Sequence, residues 1–171
     1  MSKTEKQESK ATDYRLFIDW LKENRAAVYF LSIQFPAESK TTARCKVLSS
    51  VWQISRDLER ELLGKHWIRK PYPLTGFLER GRDLTWHSHI LLTCKNRTLK
   101  QVRIALDRAG EKYQLKRRTS KVPDIKVERI RSLDKVCGYC LKQFGLDRKT
   151  HIDTDRFITS ETIFNLPCKQ R

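Results

Sequence analysis

No run in the 171-residue sequence approaches 18 consecutive apolar residues, so an ordinary membrane-spanning helix is excluded and no membrane partner is expected. Basic residues are spread along the chain rather than gathered beside a greasy anchor, which argues against a membrane-surface protein as well. Residues 1–10, MSKTEKQESK, have no large apolar side chain after Met1. They form no secretory signal and cannot offset their own ordering entropy, so a disordered tail is expected there. Acidic residues are scarce, 20 against 36 Lys and Arg, and the resulting formal charge of +16 makes a polyanion, above all nucleic acid, the expected partner.

Cysteine is too sparse for a disulfide framework. The five residues (Cys45, Cys94, Cys137, Cys140, Cys168) form an odd set with one close pair, which suits a reducing compartment, and a cytoplasmic location is the expectation. No second pair accompanies CGYC (137–140), so buried packing cysteines are expected rather than a zinc or thiol-redox motif. Histidine occurs four times, and His66 and His151 have no partner pattern. No internal repeat is visible, and the length leaves no room for a second large catalytic domain. One domain over 11–171 follows.

What is present reads as alternating strands and helices. Leu16, Phe17, Trp20 and Leu21 recur at helical spacing, predicting a helix over 13–24. The β-branched and aromatic run AAVYFLSIQF (26–35) predicts a buried strand ending at Pro36. Cys45, Leu48, Val51, Trp52, Leu58 and Leu62 mark the stripe of a long helix between 39 and 63, with Gly64 as its stop. Pro71 and Pro73 confine the next strand to Leu74 onward, and a turn at 81–84 joins it to TWHSHILLT. A helix over 99–113, a basic loop QLKRRTSK, a strand in 122–130 and a helix over 132–144 capped by Ser132 complete the order. This β-α-β-β-α-β sequence predicts an α+β, ferredoxin-like split βαβ fold with a central antiparallel sheet and flanking helices. Residues 149–171 are ambiguous, with RFITSETIF suiting an edge strand or an ordered tail.

Strand parity carries the first chemical inference. His87 and His89 are two apart, so both imidazoles project from one sheet face while Trp86, Ser88 and Ile90 face the other. If the turn centres on Asp83, Glu79 stands across from His87, near enough for one carboxylate and two imidazoles to share a divalent ion. These ligand types suit Mn²⁺ or Mg²⁺ better than structural Zn²⁺. The same pattern also suits two half-exposed histidines, with Glu79 paired to Arg80 or Arg82.

Helical geometry carries the second. On the last helix Leu133, Cys137, Cys140, Leu141 and Phe144 share one side, and Lys135, Tyr139 and Lys142 lie together on the other. Tyr139 between two ammonium groups reads as a phenol nucleophile for a phosphodiester held by Lys142 and Lys135. An amphipathic tyrosine at the rim of a core would show the same spacing.

These residues resemble the HUH endonucleases, and within them the single-tyrosine replication initiators of rolling-circle plasmids and single-stranded DNA viruses. YFLSIQF resembles their first motif, WHSHILL their histidine-hydrophobic-histidine motif and YCLK (139–142) their Tyr-x-x-Lys motif, in family order over about Val28 to Phe144. Ser88 departs from the hydrophobic residue between the histidines, and it points away from the ion. The resemblance implies one HUH-type nuclease domain in which His87, His89 and Glu79 hold a divalent cation and Tyr139, helped by Lys142, attacks DNA to leave a 5′-phosphotyrosine and a free 3′-OH. It implies nicking and joining of single-stranded DNA or an origin hairpin to start rolling-circle replication, with a separate helicase as partner. Trp67 and Tyr72 are candidate stacking residues, and Arg69, Lys70, Arg117 and Arg118 candidate phosphate contacts. A solvated basic surface with core aromatics would read alike. A transposase or mobilisation relaxase would share the chemistry. An RRM-like binding module is the rival from another class, although its RNP1 pattern is absent.

Overall fold

Alternation along four strands decides the architecture, because each places one set of side chains under helices and the other set on the opposite sheet face. The computed structural model describes residues 15–16, 19–20, 23, 27–37, 42–67, 74–81, 83–118, 121–142 and 157–159, excepting the side chains of 141, 142 and 157–159. Its elements are β1 (Tyr29–Gln34), α1 (Arg44–Leu63), a 3₁₀ turn (Gly64–His66), β2 (Leu74–Arg80), β3 (Trp86–Leu92), α2 (Leu99–Arg117), β4 (Asp124–Arg129), α3 (Leu133–Lys142) and β5 (Phe157–Thr159). The sheet order is β4-β1-β3-β2-β5, and every neighbouring pair is antiparallel. Over the first four strands this is the split βαβ arrangement of a ferredoxin-like α+β fold.

Tyr29, Leu31, Ile33, Leu74, Leu78, Trp86, Ile90 and Leu92 form the inner sheet face, packed against Val47, Val51, Ile54, Leu58 and Leu62 of α1 and Val102, Leu106, Ala109 and Tyr113 of α2. Each fully buried aliphatic side chain here contributes about 1.5–3 kcal/mol. Charges lace the outer seam of the two helices. Lys116 Nζ donates to the buried Asp57 carboxylate at 2.9 Å, Arg108 pairs with Glu61 at 3.2 Å, and Tyr113 donates to Ser50 Oγ at 3.0 Å.

The local signals explain the ends. Gly64 stops α1 at φ +56°, in the region that favours glycine. Thr98 and Gln101 form a capping box that starts α2. Ser132 Oγ accepts from Lys135 N at 3.4 Å at the start of α3, as expected. Helix α2 runs to Arg117, four residues beyond the expected end, so the first half of QLKRRTSK is helix rather than loop: Lys116 and Arg117 are held by Asp57 and Ser49 of α1. Helix α1 starts at Arg44, and residues 39–41 of the longer expected helix are outside the described part. Of the helix expected over 13–24, Arg15, Leu16, Asp19, Trp20 and Glu23 are described and helical. In RFITSETIF, Phe157–Thr159 forms the edge strand β5 against β2. The expected tail at 1–10 lies outside the described residues.

The second sheet face carries Phe30, Phe77 and Leu91, covered by Cys137 and Cys140 of α3, with Trp20, Leu133 and Val136 packed around them. Both cysteines are fully buried, as the helical spacing predicted. Burial, then the neighbouring Cys137 and the charge of Glu79, pushes the Cys140 thiol far up, so it stays a protonated packing group.

Candidate active site

Three rows of paired residues cross this second face. In the first, Glu79 of β2 is paired with His87 of β3, then Gln34 of β1 and Asp124 of β4; in the next, Phe77 is followed by His89, Ser32 and Lys126. The third row holds Thr75, Leu91, Phe30 and Glu128. The Glu79–His87 register is the one that a turn centred on Asp83 requires. That turn is closed by Gly81 N donating to Thr85 O at 2.9 Å and Leu84 N to Gly81 O at 2.9 Å, with Leu84 at φ +67°.

Glu79 leans diagonally toward His89, whose Nε2 lies 3.1 Å from Oε2 of the carboxylate. The His89 ring is nearly buried and stacks on Phe30, with centroids 5.4 Å apart and planes 13° from parallel. Its Nδ1 is buried with no hydrogen-bond partner among the described residues, which leaves Nε2 as the ring nitrogen in contact with Glu79. His87 is half-buried and turns the other way. Its Nε2 stands 3.4 Å from Thr85 Oγ1, and that hydroxyl donates to Asp83 Oδ1 at 2.7 Å. Among the described residues no three His, Cys, Asp or Glu side chains converge on one point.

Tyr139 closes the site from α3. Its ring meets His89 edge-on, with centroids 5.4 Å apart at 81°, and meets Phe30 at 6.3 Å and 86°. It remains half exposed. The tyrosine therefore stands at the border of the apolar stripe rather than opposite it, in contact with His89 and Phe30 and lining a groove of about 940 Å³. Phe30, Ser32, His89, Tyr139 and the cations Lys126, Arg129, Arg131 and Lys135 line that groove, with Glu128 among them.

Glu79 and His89 bring together a carboxylate and an imidazole, two donor types that divalent ions accept. His87 lies on the same face one pleat away, but its ring is turned to Thr85 and is not gathered with that pair.

The other expected contacts are distributed differently. Trp67 is not at the site: its ring carries the guanidinium groups of Arg56 and Arg60 at 4.2 and 4.6 Å, on the α1 side of the sheet. Arg117 donates to Ser49 Oγ at 2.7 Å and Arg118 follows it, so both belong to the helical layer, across the sheet from Tyr139. Arg69, Lys70 and Tyr72 lie outside the described residues, as does the Lys142 side chain. Among the described residues, Lys135 alone of the expected phosphate contacts lines the groove. Phe30, Ser32, Lys126, Glu128, Arg129 and Arg131 were missed. Parity would have put Phe30 and Ser32, and Lys126 and Glu128, on common faces, but joining β4 to β1 at the histidine face needed the sheet order.

No family model matches the chain. No curated protein matches it either. Among solved structures, a crystal structure titled as a hydrolase from Listeria innocua aligns with a TM-score of 0.35 at 18% identity, covering 67% of this chain and 64% of the other. The chain thus spans less than two thirds of that neighbour, and a likeness of this degree carries no argument about activity.

Proposed function

We propose that the protein is a metal-dependent endonuclease that nicks single-stranded DNA through Tyr139 and stays attached to the 5′ end of the cut strand. The observation that carries this reading is the contact of Tyr139 with His89, which itself holds Glu79 at 3.1 Å. A phenol is thereby placed beside a carboxylate–imidazole pair at the mouth of a cationic groove.

Glu79, His89 and His87 would hold the divalent ion, which when bound supplies Lewis-acid stabilisation of charge on the phosphate oxygens. Phe30 fixes the His89 ring by stacking, and the buried packing of Cys137 and Cys140 anchors α3 so that Tyr139 keeps its place. Lys126, Arg129, Arg131 and Lys135 attract and align the strand's phosphates. Tyr139 Oη then forms a bond to phosphorus as the bond to the 3′ oxygen breaks. The phenol proton passes to solvent and the leaving 3′ oxygen takes one up. No water is consumed, so a phosphodiester is exchanged for a phosphotyrosine and the strand can be rejoined. Lys142, three residues beyond Tyr139, is assigned to the developing charge on the sequence spacing alone.

Starting rolling-circle replication of a plasmid or virus, with a separate helicase, is the process we assign to this chemistry, on the motif resemblance described above. Incubation with single-stranded oligonucleotides and Mn²⁺ or Mg²⁺ tests it: cleavage should require the ion and leave protein-linked DNA. Binding without cleavage under every ion would favour a non-catalytic nucleic-acid module instead.

A further inference from the structure

Among the cations of the groove stands one carboxylate, Glu128. It is exposed, and no ion-pair partner is found for it among the described residues; the nearby Lys126 leans to Asp124 at 3.6 Å. A carboxylate in a track for phosphates repels the backbone it lies beside, so a phosphate-only groove gains nothing from it. Its position is specific. Glu128 is the register partner of Phe30, and the Phe30 ring touches both His89 and Tyr139. Adjacent strands are about 4.8 Å apart, so Glu128 sits one strand over from Phe30 and lines the same groove as Tyr139, where a nucleotide next to a phosphate at Tyr139 would pass.

Resting on the nicking reading above, we propose that Glu128 forms a guanine-selecting subsite for the nucleotide next to the phosphate that Tyr139 attacks. An ionised carboxylate only accepts hydrogen bonds, through two parallel oxygens. Guanine is the base whose Watson–Crick edge presents two adjacent donors, N1–H and the N2 amine, and it meets both oxygens. Adenine and cytosine offer one donor beside an acceptor, and thymine offers a single N–H between two carbonyls that the carboxylate repels. In single strands these edges are free to be read. Lys126, Arg129 and Lys135 hold the flanking phosphates, so the cations supply affinity and Glu128 supplies the choice.

The test uses the full chain and a pool of single-stranded oligonucleotides, with nicked products sequenced and binding followed by anisotropy on Tyr139→Phe protein. One position beside the cut should favour guanine over thymine by about tenfold or more, the scale of a bidentate base contact. Inosine, which lacks the N2 amine, should lose most of that preference, and Glu128→Gln should level the four bases. Nicking with no guanine preference, or a preference that survives Glu128→Gln, overturns the subsite and leaves the nicking reading intact. Binding with a guanine preference that Glu128→Gln abolishes, without nicking under any divalent ion, upholds the subsite and sinks the nicking reading.

Discussion

Tyr139 meets the His89 ring edge to face at 81°, while the second aromatic partner of that imidazole, Phe30, lies nearly parallel to it at 13° and itself touches Tyr139. The three rings therefore form one cluster, in which Tyr139 and His89 make different mutational predictions.

Tyr139→Phe keeps the ring contacts with His89 and Phe30 and removes a hydroxyl from a half-exposed side chain. The expected change in stability is within about 0.5 kcal/mol, and DNA affinity should survive. Covalent adduct should vanish. Oligonucleotide labelled downstream of the nick should migrate with wild-type protein on a denaturing gel and run free with the variant; adduct persisting in Tyr139→Phe would move the nucleophile elsewhere.

His87→Ala and His89→Ala should both lose Mn²⁺ affinity measured by calorimetry, and nicking with it. Their stabilities should separate. His89 is nearly buried and stacked, so its removal should also cost roughly 1–3 kcal/mol, whereas His87 is half-buried with one long hydrogen bond to Thr85. Unchanged Mn²⁺ binding in both variants would show that the ion site is not on this strand.

Gly81→Ala probes the turn. A Cβ there would lie 2.7 Å from His87 Cε1 and 2.8 Å from Asp83 Oδ1, so the imidazole or the turn must shift. Displacing a ligand's support typically costs about 10–100-fold in metal affinity or activity. Mn²⁺ affinity should fall by that order with the far-ultraviolet spectrum retained. Wild-type affinity in the alanine variant would mean that this His87 placement does not matter for the ion.

Asp57 predicts an acid limb. Burial pushes its carboxyl up, but the hydrogen bonds from Gln53 and Lys116 and the charges of Lys116 and Arg60 outweigh it and hold the folded value below the ordinary one. A depressed folded pKa contributes stability that is fully present above the unfolded value, about 3.9, and is lost as pH falls through the lower folded value. Melting temperature should drop below about pH 4, and Asp57→Asn should lower the neutral plateau while flattening that drop. An acid limb as steep in Asp57→Asn as in wild type would place its origin in other carboxylates.

Much of this was legible along the chain because it depends on period and on short range. Alternation in WHSHILL put His87 and His89 on one face, and the Gly81–Leu84 turn set the Glu79 register, since a hairpin leaves few ways to pair nearby strands. Helical spacing likewise buried Cys137 and Cys140 and kept Tyr139 out of their core.

Other features were decided only by tertiary structure, because they depend on which side of the sheet an element packs and on side-chain lean. Charge and aromatic content made Trp67, Arg117 and Arg118 look like DNA contacts, but α1 and α2 carry them to the helical layer, where Arg56, Arg60 and Ser49 engage Trp67 and Arg117. Conversely, Lys126 and Glu128 sit far in sequence from the histidines and reach them through the β4-β1-β3 order, a long-range pairing that no local pattern encodes. The turn of Glu79 to His89 rather than to its register partner His87 belongs to the same class: parity sets the face, while the neighbouring hydroxyl of Thr85 and the stacking of Phe30 set the direction of each ring.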